Sequence, residues 1–360
     1  MTTTSIRVAL IGYGYAGKTL HAPLITHTAG LELAVVASSR PAAVRGDHPA
    51  AEVMTTPLDA ATRADVGLVV IAGPNATHAP LAEAALCAGK HVVVDKPFTV
   101  TLAEARALAE LAAERGLLLS VFQNRRWDSD FLALHAALQA GRVARVTHFE
   151  SRFDRFRPLV RDRWRERAGP GGGIWFDLGP HLVDQALQLF GLPQRVGGLF
   201  ACQRDDAVAE DWFQVQLDYG RLQATLSASV LVGGGLPRFA VHGTGGSWLK
   251  HGLDVQEEQL KAGLAPGGPG WGVDPQPASH FPGDGTVVRE AVAAGDYRIY
   301  YAAIGEAIRG RGANPVPSAQ AVATMAVLET AAQAAREGRM RPLPLTEAER
   351  ALFAASRTAG

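Results

Sequence analysis

The 360-residue sequence predicts an α/β protein in two parts. A doubly wound parallel sheet comes first, and a second α/β part with a mainly antiparallel sheet follows. Three observations predict it. A strand-like run at the N-terminus leads straight into a glycine-rich turn and a helix-compatible segment. Strand and helix patterns then alternate through Phe122, as parallel sheets require. Beyond residue 190, strand-like runs recur with turns but without helices between them, which argues for antiparallel pairing. The length also favours two cores over one. The division is placed at residues 1–122 and 123–360.

Ile6 to Ile11 is short, apolar and rich in β-branched residues, the pattern of a buried strand. The turn after it reads Gly12-Tyr13-Gly14-Tyr15-Ala16-Gly17, and Lys18 to His27 continues as helix. A GxGxxG between strand and helix is the context of a dinucleotide-binding turn. Gly12 permits the sharp bend, Gly14 admits a pyrophosphate, and Gly17 lets helix and strand pack closely. Tyr13, Tyr15 and Ala16 share the turn and are assigned to the cofactor with the glycines. The second strand, Leu31 to Ala37, ends in Ser38-Ser39-Arg40, and the nearest acid downstream is Asp47. Two hydroxyls and a guanidinium suit a 2′-phosphate better than a free ribose hydroxyl. The expectation is NADP in preference to NAD, with a solvated Arg40 as the alternative.

Six strands are expected in this part. Val66 to Ile71 precedes the loop Gly73 to His78, where Thr77 can cap a helix running to Gly89. His91 to Asp95 ends in Asp95-Lys96-Pro97. Thr101-Leu102-Ala103-Glu104 is a capping box, and Leu117 to Phe122 is the next strand. Ligands of such sheets bind beyond the strand C-termini. Pro74, Asn75, His78, Asp95, Lys96 and Gln123 lie near those ends and join the cofactor set. Lys96 reads equally as a surface lysine on this evidence alone.

Gln123 to Asp128 is a polar junction, followed by a helix to Gln139 and a strand from Val143 to Phe153. Ser151 to Arg167 carries Arg152, Arg155, Arg157, Arg161, Arg163, Arg165 and Arg167 against Asp154, Asp162 and Glu166. A nucleic-acid surface is one reading, but the acids, Trp164 and the neutral whole-chain charge favour a partly paired site wall or a subunit contact. Three glycines, Gly171 to Gly173, then open a run to Phe190 that ends at Gly191. In a helix, Asp177, His181 and Asp184 share one face. A carboxylate beside an imidazole handles protons near neutral pH; the alternative is a surface ion pair or a capped core histidine. Strands are expected at Arg195–Ala201, Trp212–Leu217, Leu222–Val230, Phe239–His242 and Gly246–Lys250. Residues 262–286, with Trp271 and His280, read as a long loop, a lid or a floppy insertion. Helices are expected at Tyr297–Arg309 and Ser318–Arg336.

Lys+Arg and Asp+Glu are both 35, so nothing draws the chain to nucleic acid or an anionic membrane. The two cysteines, Cys87 and Cys202, resemble reduced thiols. The N-terminus lacks a signal-peptide pattern and no run is long enough to span a bilayer, so a cytoplasmic location is expected. No third nitrogen or sulfur ligand accompanies Asp177 and His181 at a recognisable spacing, so no metal is expected.

These motifs together resemble the glucose–fructose oxidoreductase/inositol dehydrogenase/rhizopine catabolism (Gfo/Idh/MocA) family. The resemblance rests on GxGxxG at Gly12, Asn75 to His78, Asp95-Lys96-Pro97 and GGGxxxDxGxHxxD from Gly171 to Asp184. His21-Ala22-Pro23-Leu24-Ile25 and Phe153-Asp154-Arg155-Phe156-Arg157-Pro158 are similar to bacterial scyllo-inositol dehydrogenases. The resemblance implies a Rossmann domain, then a domain whose large open sheet packs against another subunit in a homodimer or homotetramer. It implies Lys96, Asp177 and His181 as the catalytic set and Asp184 as a neighbouring polar contact. Asn124, Arg125, Trp127, Phe153, Asp154 and Arg157 join them as expected substrate contacts. Asp95 stands where the family usually has glutamate. The implied activity is hydride transfer between a nicotinamide and a secondary alcohol of a polyol or sugar, scyllo-inositol foremost. His181 would take the proton, oriented by Asp177, and Lys96 would hold the reacting oxygen. Another aldose or keto sugar, or a non-catalytic regulator on the same fold, are the alternatives.

Overall fold

The first sheet grows from β1 (Ile6–Ile11), which pairs in parallel with β2 (Leu31–Ala37) on one side. β3 (Glu52–Met54) extends that side. On the other side lie β4 (Leu68–Ile71), β5 (His91–Val94) and β6 (Leu119–Val121), so the order is β3-β2-β1-β4-β5-β6. Every pairing is parallel, and the central strands are buried on both faces, which explains their near-continuous Val/Ile/Leu content. β3 is the strand the sequence did not locate: one exposed and two half-buried residues leave no pattern. The order reverses between β1 and β4, so the cofactor turn opens at the switch point. The computed structural model describes residues 5–161, 166, 167, 169 and 171–358.

Two local expectations change. The segment after the glycine turn is a π-helical turn, Gly17–His21, before the α-helix Ala22–Thr26. Thr77 does not cap the helix His78–Cys87; its hydroxyl donates back to Pro74 O at 2.7 Å. The Thr101–Glu104 capping box is present and opens the helix Leu102–Glu114.

The second sheet has eight strands. They are β7 (Val146–Arg152), β8 (Arg195–Ala201), β9 (Trp212–Asp218), β10 (Gln223–Ser229), β11 (Phe239–Gly243), β12 (Gly246–Lys250), β13 (Ala278–Phe281) and β14 (Val288–Glu290). Their order is β14-β13-β12-β11-β7-β10-β9-β8, antiparallel except for β7 beside β10. The helices Gly173–Phe190 and Ser318–Glu337 pack on one face, through Trp175, Phe213 and Leu226 among others.

Residues 262–286 are neither lid nor floppy insertion. Trp271 is buried and donates its indole N–H to Asp296. β13 adds to the sheet beside β12, and His280 within it contacts Arg142 O at 2.8 Å. Alternation is too short there to reveal a strand. The six-residue helix Gln256–Lys261 and the C-terminal helix Glu347–Thr358 were also not anticipated.

Candidate active site

The cofactor turn is built by steric demand. Gly12 has φ +101°, and a Cβ there would lie 2.7 Å from Ala72 O. At Gly17 a Cβ would collide with Gly12 O, so glycine alone lets the helix seat on the strand. A Cβ at Gly14 would meet nothing within 4 Å. That open space, above backbone amides at a helix start, fits a pyrophosphate.

A cleft of about 720 Å³ runs from this turn past Ser38, Ser39 and Arg40 to Thr55, Thr56 and Pro74. Ser38 is buried, and its Oγ accepts the Arg40 amide at 3.0 Å. The Arg40 guanidinium donates to Tyr13 O at 2.7 Å, which holds it at the end of β2. Asp47 is occupied by the Lys18 ammonium at 2.7 Å and the Tyr13 hydroxyl at 2.9 Å. These two, Lys18 foremost, hold its carboxyl below the usual range. Three residues expected at the cofactor do not line the cleft. His78 is buried between Pro97 O and Gly73 O, Asn75 donates to Gly171 O at 3.0 Å, and Gln123 is buried with its Oε1 unbonded. Each stands near a strand end, as read, but none lines the cleft, and His78 and Asn75 bond loop carbonyls instead.

A second cavity of about 430 Å³ adjoins the first and shares Tyr15, Ala16 and Asp95 with it. Lys96, Asn124, Arg125, Arg157, Asp177 and His181 all reach its wall. Asp95 is buried; its Oδ1 accepts the Lys96 amide at 2.8 Å and faces His21 Nε2 at 3.8 Å. Burial raises its carboxyl, but His21 and Lys96 outweigh that and the net shift is downward. Lys96 crosses from the first part to the second. Its Nζ donates to Asp177 O at 2.6 Å and to Asp177 Oδ1 at 3.1 Å.

His181 is 5% exposed, and its Nδ1 has no hydrogen-bond partner among the described residues. Burial first, then the charges of Lys96, Arg125, Arg238 and Arg155, push its pKa well below the ordinary histidine value. The ring is therefore neutral at neutral pH. The expected Asp177–His181 pair does not form. Helical spacing puts both on one face, as read, but the Asp177 carboxylate turns to Lys96 and lies 3.7 Å from Arg155.

Four expected substrate contacts sit elsewhere. Asp184 is buried and held by Arg126 at 2.8 and 2.5 Å, a bidentate pair one helical turn beyond His181. Trp127 packs on Tyr300. Phe153 is 1% exposed and lies beneath the guanidinium groups of Arg125, Arg155 and Arg238, so it supports the wall without being part of it. Asp154 accepts the Ser229 amide at 3.0 Å and borders a separate cavity beside the Gly233–Gly235 loop.

Glu257 and Lys261 line the cavity and were missed. Glu257 accepts the Tyr15 hydroxyl at 2.5 Å and Arg125 at 2.6 Å, linking the cofactor turn to the second part. Burial would raise its carboxyl, yet Arg125, Tyr15 and Lys261 hold it at about 2. Their i,i+4 spacing was the one available signal. From the arginine-dense segment, Arg155, Arg157 and Arg161 reach the wall. Asp162, Arg163 and Arg165 lie outside the described residues.

Comparison with known proteins agrees with this geometry. Residues 6–123 match the oxidoreductase family with an NAD-binding Rossmann fold, and residues 136–345 match that family's C-terminal α/β domain. The uncharacterized oxidoreductase YdgJ of Escherichia coli (strain K12) is 49% identical, over 92% of this chain and 97% of its own length. The scyllo-inositol 2-dehydrogenase (NADP(+)) IolW of Bacillus subtilis (strain 168) is 36% identical, over 93% and 95%. A crystal structure from Klebsiella pneumoniae superposes with a TM-score of 0.93 at 50% identity, covering 98% of this chain and 99% of that one. With both of the family's domains matched in order, the chain belongs to the Gfo/Idh/MocA oxidoreductases.

Proposed function

We propose that this protein oxidises a secondary alcohol of a polyol or sugar, scyllo-inositol foremost, to the ketone, with NADP preferred over NAD. The observation that carries the reading is the pairing of a neutral, buried His181 with the Lys96 ammonium in a cavity that opens onto the cofactor cleft. The glycine turn and Ser38 to Arg40 would hold the dinucleotide. Bound there, the nicotinamide supplies the hydride acceptor. His181 accepts the hydroxyl proton. Lys96 Nζ donates to the same oxygen and stabilises the negative charge that develops on it. Asp177 positions Lys96 through its carbonyl and carboxylate, rather than orienting the imidazole.

The NADP-dependent inositol dehydrogenase among the relatives supports both substrate class and cofactor. The face of the eight-stranded sheet opposite the helices carries Glu150, Gln214 and a Leu199 that is 62% exposed. We assign that face to a homodimer or homotetramer contact, checked by sedimentation, and place the protein in the cytoplasm. The direct test is NADPH formation from scyllo-inositol with the inosose identified as product, alongside other inositols and aldoses. Tight cofactor binding with no reduction by any of them would favour a regulatory role.

A further inference from the structure

We propose that Asp95 makes the protein take up the oxidised dinucleotide in preference to the reduced one, through its charge beside the nicotinamide. This rests on the dehydrogenase reading above and adds to it the residue that tells NADP+ from NADPH. The two forms share adenosine, phosphates and riboses. They differ only at the ring, which is cationic in one and neutral in the other. A group that distinguishes them must therefore stand at the ring and carry charge. The glycine turn and Ser38 to Arg40 take the phosphate and adenosine end of the cleft. His181 and Lys96 lie in the adjoining cavity, so a ring that receives hydride from an alcohol there reaches the wall that both cavities share. Tyr15, Ala16 and Asp95 form that wall, and of these only Asp95 is charged.

The carboxylate is fixed in place and keeps its charge. Asp95 follows β5 directly, and its Oδ1 is spent on the Lys96 amide at 2.8 Å. Oδ2 takes no hydrogen bond from a described residue, yet it is not sealed from solvent, so it opens toward the cavities. The Lys96 ammonium turns away to Asp177 O at 2.6 Å and Asp177 Oδ1 at 3.1 Å. His21 faces Asp95 Oδ1 through Nε2 at 3.8 Å, and its Nδ1 lies 2.6 Å from the Tyr301 hydroxyl. Burial keeps that hydroxyl protonated. It has no other acceptor among the described residues, so it donates to Nδ1 and leaves the imidazole proton on Nε2. An N–H directed at the carboxylate supports its ionised form without cancelling the charge, and Asp95 stays ionised despite its burial. Asp177 and Glu257, the other carboxylates of the substrate cavity, do not border the cofactor cleft. A cationic ring gains a charge pair from Oδ2 in this largely buried wall, and a neutral ring gains none.

The test is binding to the full chain, without turnover. Calorimetric titration gives Kd for NADP+, for NADPH and for 2′-phospho-ADP-ribose, which lacks the nicotinamide. Wild type should bind NADP+ more tightly than NADPH. Asp95→Asn should weaken NADP+ by about tenfold to a hundredfold, the size of one charge pair at close range in a protein's effective dielectric. NADPH and the ring-free nucleotide should change little. Equal weakening of all three would mark a structural role and overturn the proposal, as would NADP+ binding unchanged by the substitution. If Asp95→Asn does not fold, the order in wild type decides: tighter NADP+ upholds the proposal and tighter NADPH overturns it. Wild type that binds none of the three overturns both this proposal and the cofactor assignment. Wild type that binds NADP+ but reduces it with no alcohol ends the dehydrogenase reading separately, because no step of the titration needs hydride transfer.

Discussion

His181 holds its place through what surrounds it more than through any partner. Two consequences follow from a ring kept neutral by burial and by four cationic neighbours. Stability should fall as pH drops below about 6.5, because the unfolded histidine takes up a proton there while the folded one does not. For the same reason, kcat/KM for alcohol oxidation should show no inflection near 6.5 and decline only at lower pH. A pH–rate profile checks this, and a step centred near 6.5 would place His181 outside the proton path. Lys96 invites a different experiment. Lys96→Ala should lose most activity with circular dichroism unchanged, and Lys96→Arg should rescue it poorly. A guanidinium cannot give one compact donor to both the Asp177 carbonyl and the reacting oxygen.

At the scale of elements, the glycine turn separates two kinds of glycine demand. Gly17→Ala should cost about 1–3 kcal/mol of stability, because its methyl meets the Gly12 carbonyl in the folded protein itself. Gly14→Ala should leave the melting temperature nearly unchanged and raise the KM for cofactor at least about tenfold. Its methyl meets open space that only a pyrophosphate would fill. The end of β2 makes a third test. Ser39 is exposed at the cleft and Arg40 is pinned to Tyr13 O. Ser39→Asp should therefore move the kcat/KM ratio toward NAD, and Arg40→Ala should reduce the advantage of NADP. Ratios unchanged by both substitutions would remove this loop from cofactor choice.

Across the whole molecule, what could be read from sequence tracks how local its cause is. The strand–glycine–helix order, the Thr101–Glu104 box and the helix from Gly173 are written in adjacent residues, and they stand as read. The approach of Lys96, Asp177 and His181 to one cavity came from motif spacing and family resemblance together. Partner choice was not legible. Asp177 prefers Lys96, which is distant in sequence, and Asp184 prefers Arg126 from the junction after β6. Nothing within the helix encodes either preference. Glu257 and Lys261 escaped because their helix has only six residues and no apolar stripe.

We propose hydride transfer here from an alcohol whose proton His181 removes. The measurement that tests it most directly is the rate of NADP+ reduction by wild type and His181→Ala across inositols and aldoses, with cofactor KM recorded beside it. Wild type should turn over, and the variant should be about 10²–10⁴ slower with cofactor KM little changed. Near wild-type turnover by His181→Ala, or a wild type that binds NADP+ and reduces it with no alcohol, would contradict it.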